Sequence, residues 1–343
     1  MSRPVVSVVI PTYNYAHYLP VAIESVRSQS GVDVEIIVVD DASTDDSACV
    51  ATELAADDTR IRVLLQPVNR GHIATYNAGL ELATGEYVVL LSADDALAPG
   101  SLERAVALLE SHPAVGLVYG YAQDFSGDVP VGKTIAATTT VWPGESWIAR
   151  MCERGSNTIV NPEAVMRRSV LERIGAYDPA LPQTADMDLW MRAAAVSDVG
   201  RVNGPVQAYY RVHGANMHLT SLSGLLREFS ARHDTFEGFF LGAGARLDRA
   251  GQLRRLARRS LAREGVRTAT LAVGSSDPAL RATARDWVEQ AQRIWPAITS
   301  TPEWRRYLRR SARRPGAITA YIETRRAYAR SALRWRRWRR YGT

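Results

Sequence analysis

"YVVLLSADDALAPGSL", residues 87–102, carries an apolar run from Tyr87 to Leu91 into two adjacent carboxylates, Asp94 and Asp95. A short, continuously apolar segment closed by polar residues is the pattern of a strand buried on both faces. The pattern repeats on either side. Upstream are "VVSVVI" (5–10), stopped by Pro11, then "VEIIVV" (34–39), closed by "DDASTDDS", and "IRVLL" (61–65); downstream is "AVGLVYG" (114–120). Between them, residues 17–29, a segment ending near 56, and "NRGHIATYNAGLELATG" read as helices, the last with Gly85 at its C-terminal end. Apolar strands separated by helices predict an α/β fold whose mostly parallel sheet is covered on both faces.

In such open sheets ligands sit beyond the carboxyl ends of the strands. Three polar clusters therefore share one edge: "PTYNY" after the first strand, "DDAST" after the second and "SADD" after the fourth. The turn after the first strand has no G-x-G-x-x-G, so a dinucleotide-binding domain is not expected, nor is a nucleotide-binding P-loop.

The chain has 343 residues, enough for one large domain or two ordinary ones. No apolar run approaches the roughly 18 residues that span a bilayer. The first residues, "MSRPVVSVVIPTYN", lack the apolar core and cleavage site of a signal peptide. Cys49 and Cys152 have neither disulfide nor metal-ligand spacing; they fit a reducing compartment and read as small buried residues. The net charge of +6 is unevenly split: residues 1–250 carry −11, and residues 251–343, with 23 Arg against 6 acids, carry +17. Residues 121–220 are irregular in pattern, and beyond 220 the text turns helical and rich in Ala and Arg. The expected organisation is a first domain over 1–220 and a helical, Arg-rich region over 221–343.

"VSVVIPTYNYAHYLPVAIESVRSQS", "EIIVVDDASTDDS", "NRGHIATYNAGLELATGEYVVLLSADD", "GAYDPAL", "TADMDLWMR" and "YYRVHGAN" follow one another in order over residues 5–216. Together they resemble family 2 glycosyltransferases of the GT-A fold. The resemblance implies an inverting, metal-dependent transfer of a sugar from a nucleoside-diphosphate donor, UDP- or dTDP-type, to a hydroxyl of a glycan or lipid-linked acceptor. It also implies a divalent cation, Mn²⁺ or Mg²⁺, held by hard oxygen ligands.

Residue by residue, the family's D-x-D motif falls on Ser92, Ala93 and Asp94. Asp94 is then the metal ligand with Asp95 as helper, and Ser92 stands where many relatives have Asp. The alternative for the acidic pair is to cap a helix near 99–110. By resemblance Tyr13 walls the nucleotide base, Pro11 and Thr12 supply backbone contacts, and Asp41 accepts from the base. Ser43 and Thr44 read as helix-start residues. Asp186 falls on the family's general base, with Ala185 in place of a first acid; its alternative is an N-cap. Asp188 reads as a residue of the helix N-terminus. Trp190 walls the acceptor pocket or packs into the core. His213 in "YRVHGAN" resembles the family's C-terminal histidine, which helps hold metal or diphosphate. His17, His72, His112, His218 and His233 are given no role.

The segment "YIETRRAYARSALRWRRWRRYG", residues 321–342, places Tyr321, Tyr328, Trp335 and Trp338 near one face of a helix among arginines. That suits the surface of an anionic membrane; a helical bundle with its arginines paired to acids is the other reading. No nucleic-acid partner is expected. The implied location is the cytoplasm, peripheral on the inner face of the membrane. Ser92 and Ala185 keep a second function open: a catalytically silent module that binds a nucleotide-sugar or glycan.

Overall fold

The computed structural model describes residues 3–130, 136–214, 222–275 and 277–312, with five isolated positions further on. The aromatic residues Tyr321, Tyr328, Trp335 and Trp338 and His218 lie outside the described residues. The chain divides into two compact units. Of the described residues, the first comprises those up to Trp147 together with Thr158–His213; the second comprises Ile148–Asn157 and those from Gly214 on.

In the first unit, β1 (Val5–Thr12), α1 (Leu19–Arg27), β2 (Asp33–Asp40), α2 (Ser47–Ala56), β3 (Ile61–Leu65), α3 (His72–Leu82) and β4 (Tyr87–Leu90) alternate as the sequence predicts. There follow β5 (Ala96–Leu97), α4 (Ser101–Ser111), β6 (Val115–Tyr119), β7 (Ala122–Phe125), β8 (Thr138–Trp142) and α5 (Gly144–Arg154), within which the division between units falls. β9 (Val165–Arg167), α6 (Arg168–Ile174), α7 (Ala185–Ala194), β10 (Asp198–Asn203) and β11 (Ala208–Arg211) complete it.

The main sheet has the order β3-β2-β1-β4-β9-β6-β10-β8. β1 runs parallel to β2 and β4, β2 to β3, and β6 to β10; β9 is antiparallel to both β4 and β6. The sheet is mostly parallel, as expected, but the three-residue β9 separates the strands predicted as fourth and fifth. β1 is sandwiched: Val6, Val8 and Ile10 join a core with Leu19, Ile23 and Val26 of α1 and Leu102, Val106 and Leu109 of α4. Val9 faces the other way, toward α3. There Gly79 fits so closely that a Cβ would stand 2.3 Å from Val9 Cγ1. Gly85 does not end α3, whose C-cap is Ala83. It lies against β1, where its N–H donates to Ser7 Oγ at 2.8 Å and a Cβ would stand 2.7 Å from the Val5 carbonyl.

The second unit contains α8 (Leu222–Leu241), α9 (Ala250–Val273), α10 (Pro278–Ile294) and α11 (Pro302–Ala312). Phe229 and Trp287 meet ring to ring at 4.9 Å, and the Cα of Gly265 on α9 lies against Ala291 of α10. The arginines of α9 find acids in the same unit. Arg254 and Arg258 both bond Glu237, and Arg263 and Arg267 lie beside Glu303. Among the described residues no helix is long and apolar enough to cross a membrane. The two cysteines differ: Cys152 is buried as expected, whereas Cys49 is exposed on α2, its thiol beside Glu53.

Candidate active site

A second, three-stranded sheet, β5-β11-β7, brings the distant motifs together. β11 pairs antiparallel with β5, Ala208 opposite Leu97 and Tyr209 opposite Ala96. Continued by two residues, that register runs Arg211 alongside Asp94. Arg211 is held there: its N–H donates to Asp95 Oδ1 at 2.8 Å and its Nε to the Asp94 carbonyl at 2.8 Å. The guanidinium lies between the rings of Tyr18 and Phe125, 4.5 and 4.4 Å from their centroids. Two residues on, His213 Nε2 contacts Asp94 Oδ2 at 2.9 Å. The histidine and the end of the fourth strand, 119 residues apart, thus form one cluster.

Asp94 and Asp95 do not cap α4, whose N-cap is Gly100. Asp95 is 1% exposed, and its Oδ2 has no hydrogen-bond partner among the described residues. Burial, and then the neighbouring Asp94 charge, push its carboxyl well above the usual carboxylate range. Tyr15 and Tyr18 pack around His213, with ring centroids 5.9 and 5.4 Å away. Burial, followed by the Asp94 charge, pushes the Tyr15 phenol up to about 12. Ser92 Oγ is 3.1 Å from the phenol of Tyr76, and Ala93 is buried.

The loops after β1 and β2 are laced to each other. Asn14, at φ 58°, accepts from Thr44 N at 2.8 Å through Oδ1, while its own N–H donates to Ser43 Oγ at 3.0 Å. Ser43 and Thr44 therefore tie the two loops together, and α2 begins later, at Ser47. Pro11 and Thr12 lie at the end of β1, opposite Val39 and Asp40. Tyr13 follows, a residue 44% exposed. Asp41 is buried, its Oδ1 accepting from Arg70 N at 2.7 Å and its Oδ2 from Gly71 N at 2.9 Å. It thereby fixes the loop that leads into α3; each oxygen retains a second lone pair.

Asp186 stands in the first turn of α7, after Thr184 at the N-cap, with Oδ1 2.7 Å from Met187 N. Its charge acts on the nearby Tyr177 phenol. Asp188 does more than sit at a helix start. It pairs with Arg192 at 2.7 Å, and Arg192 reaches the carbonyls of Ile174, Gly175 and Ala176. Burial raises the Asp188 pKa, against the pull of Arg192. Trp190, left open between acceptor wall and core, is 2% exposed and lies with Leu80, Val88, Leu90, Met166 and Leu189. In this structure it is a core residue.

The expectation of no P-loop needs correction at the level of sequence. "GDVPVGKT", residues 127–134, has the G-x-x-x-x-G-K-T spacing. A phosphate-binding loop runs from a strand into a helix. Here the described residues after it lead into the strand β8, so the context that gives the motif meaning is missing.

Among the described residues there is no group of three or more His, Cys, Asp or Glu that could hold a metal ion. The cluster nevertheless brings oxygen and nitrogen donors of the type divalent cations take to one place. Asp94 offers a hard carboxylate, His213 an imidazole nitrogen, and Asp95 Oδ2 is a buried oxygen in want of a partner.

The family model described as glycosyl transferase family 2 matches residues 7–175. An uncharacterized glycosyltransferase of Nostoc sp. is 34% identical over 228 residues, covering 64% of this chain and 68% of its own. A PGL/p-HBAD biosynthesis glycosyltransferase of Mycobacterium bovis is 30% identical over 193 residues, 56% of this chain and 70% of its own. The chain belongs to glycosyl transferase family 2, and it is a glycosyltransferase enzyme. Solved structures agree on the fold. Residues 1–349 of S. aureus TarS, in complex with UDP-GlcNAc, match with TM-score 0.54 at 18% identity, over 88% of this chain and 92% of that one. The mannosyltransferase PcManGT of Pyrobaculum calidifontis, in complex with GDP-Man and Mn²⁺, matches with TM-score 0.51 at 20% identity, over 92% and 88%. The fold is GT-A, followed by a helical C-terminal region.

Proposed function

We propose that residues 1–220 form a catalytic domain that transfers a sugar, with inversion, from a UDP- or dTDP-linked donor to a hydroxyl of a glycan or lipid-linked acceptor. The observation that carries this is the contact of Asp94 with His213 beside the orphaned oxygen of Asp95. It lies at the strand ends that also present Tyr13 and Asp41. The complexes of related folds with UDP-GlcNAc and GDP-Man support a nucleotide-sugar donor. The M. bovis relative is named for PGL/p-HBAD biosynthesis, which supports a biosynthetic role for the transfer.

In this reading Tyr13 stacks on the base, and the backbone at Pro11 and Thr12 and a spare lone pair of Asp41 bind its edge. Ser92 and Ala93 face the rest of the nucleotide. Asp94, Asp95 and His213 would hold Mn²⁺ or Mg²⁺. When bound, the cation supplies positive charge to the departing diphosphate. Asp186 takes the proton from the acceptor hydroxyl as its oxygen bonds to the anomeric carbon and the bond from that carbon to the diphosphate breaks. The products are the inverted glycoside and the nucleoside diphosphate.

Turnover of a panel of nucleotide-sugars, read beside nucleotide binding, is the test. Asp186→Asn is expected to abolish transfer and hydrolysis while nucleotide affinity stays unchanged; a wild type that turns over no donor overturns the proposal. We further propose that residues 221–343 dock on an anionic membrane at the cytoplasmic face. Arg305, Arg306, Leu308 and Arg309 of α11 are exposed together, which supports it.

A further inference from the structure

Among the described residues Tyr13 is the most exposed tyrosine, phenylalanine or tryptophan, at 44%. Among them, too, no hydrogen bond or ring contact holds its side chain. The direction of the ring is therefore set by the backbone on either side of it. Before it, Thr12 closes β1, and its carbonyl accepts from Asp41 N at 2.9 Å.

After it, three successive N–H groups are taken by side chains of the loop that follows β2. Asn14 N donates to Ser43 Oγ at 3.0 Å, Tyr15 N to Ser47 Oγ at 2.9 Å and Ala16 N to Asp45 Oδ2 at 3.1 Å. Two of these acceptors are anchored in turn: Ser43 N donates to Asp40 Oδ2 at 2.9 Å, and Ser47 Oγ to Asp45 Oδ1 at 2.5 Å.

The Asn14 side chain closes the clasp from the other direction. Its Oδ1 accepts from Thr44 N at 2.8 Å, from Thr44 Oγ1 at 3.2 Å and from Asp45 N at 3.4 Å. Two of those donors are backbone amides, so the atom facing them is the carbonyl oxygen. Asn14 reaches this position at φ 58°, in the left-handed region that asparagine enters more readily than most residues.

We propose that Asn14 is a positioning residue: by clasping the loop after β2 it fixes the backbone at Tyr13 and sets the exposed ring for the base. A ring ordered in advance binds without the entropy loss of ordering it. The inference rests on the donor-binding reading above, in which Tyr13 stacks on the base.

A double-mutant cycle separates this role from a general one in stability. Binding of UDP and of dTDP is measured by calorimetry in Mg²⁺ buffer on the 343-residue chain and its variants. Tyr13→Ala removes the ring and should bind at least about five-fold more weakly. Asn14→Gly keeps the backbone freedom but removes the acceptor. The cost of ordering one freed side chain predicts a loss of roughly five-fold. The two together should bind no more weakly than Tyr13→Ala alone, because a clasp without a ring has nothing to present. Asn14→Asp keeps an acceptor for the same three donors. It should stay within about two-fold of wild type, since charge in an exposed contact adds little. If Asn14→Gly does not fold, Ser43→Ala, which removes the acceptor of the Asn14 N–H, runs the same cycle.

Three results overturn the inference and leave the donor reading standing: penalties that add in full in the double variant, an Asn14→Gly chain that binds as wild type does, or an Asn14→Asp chain as weak as Asn14→Gly. A Tyr13→Ala chain that binds as wild type does removes base stacking from Tyr13, and a wild type that binds neither nucleotide overturns the donor reading. The inference falls with either.

Discussion

His213 and Asp94 are bound to each other, so each holds the other in place before any ligand arrives. His213→Ala keeps the backbone but removes the imidazole. If the pair holds a cation and diphosphate, the variant loses on the order of ten-fold in nucleotide affinity measured with Mn²⁺, the scale found for groups that tune a metal site. Measured without metal, the same variant should lose little. An equal loss in both conditions would show that His213 acts through packing alone. Arg211 is a different case. It donates through Nε to the Asp94 carbonyl and through its backbone N–H to the Asp95 carboxylate, and its guanidinium stacks between Tyr18 and Phe125. Arg211→Lys retains the charge but not the planar fork or the stacking, and it should lower both stability and nucleotide affinity. Thermal unfolding and calorimetry on one preparation check the two together, and a variant that matches wild type in both would remove Arg211 from the site.

At the scale of the element, the tightest fit is that of α3 on β1. Alanine at position 79 gains helix propensity of about 1 kcal/mol over glycine. Against that, its Cβ would overlap Val9 Cγ1 in a core where both neighbours are fixed. Overpacking costs about 1–3 kcal/mol, so Gly79→Ala should lower the unfolding midpoint of the chain in thermal melts. A midpoint at or above wild type would mean that α3 shifts freely on the sheet. In the helical unit, α8 and α9 are joined by Glu237 with Arg254 and Arg258; burial pushes the Glu237 carboxyl up, and the bonds from Arg258 and Arg254 together outweigh it and hold it down from 4.5 to about 2. A depressed carboxylate stabilises the folded state fully above its unfolded pKa, and that contribution is lost as pH falls through the folded value. The stability of this unit should therefore fall as pH drops from about 4.5 to about 2. After discounting for solvent screening the effect is about 1 kcal/mol. Glu237→Gln should flatten the pH profile; an unchanged profile would assign acid sensitivity to other groups.

Legibility divides along the same line of element length. β1 to β4 and β6 were readable because each lies within a mostly apolar run of five or more residues, Tyr87 to Leu91 in the case of β4. β5, β7, β9 and β11 have two to four residues, too few for any period, and β9 changed the neighbours within the main sheet. The order of the motifs exposed Asp94, Asp186 and His213 as candidates. The pairing of β5 with β11, which joins two of them, was not in the pattern. Ser43, Thr44 and Trp190 show the converse limit. Cap-type residues also tie loops, and an indole four residues after an acid can lie wholly inside. Tyr15, Tyr18 and Asn14 were passed over because their partners come from other elements. The aromatic density of "TYNYAHY" was the one local signal for the first two.

On the scale of the whole molecule, charge is the feature that composition alone hides: −11 over residues 1–250 and +17 over 251–343. Within α9 part of the positive charge is used internally, on Glu237 and Glu303. Arg305, Arg306 and Arg309 on α11 remain exposed beside Leu308, and further arginines and tryptophans follow in sequence. Each basic group near an anionic leaflet contributes about 1 kcal/mol, so several acting together suffice for measurable binding. The 343-residue chain should co-sediment with vesicles containing phosphatidylserine and much less with phosphatidylcholine alone. Salt should release it, since the screening length shrinks to about 3 Å at 1 M. A chain ending at residue 318 should lose most of this binding while keeping its affinity for nucleotide. Equal sedimentation of the two chains would count against a membrane role for residues 319–343, and sedimentation indifferent to lipid charge would count against electrostatic docking altogether.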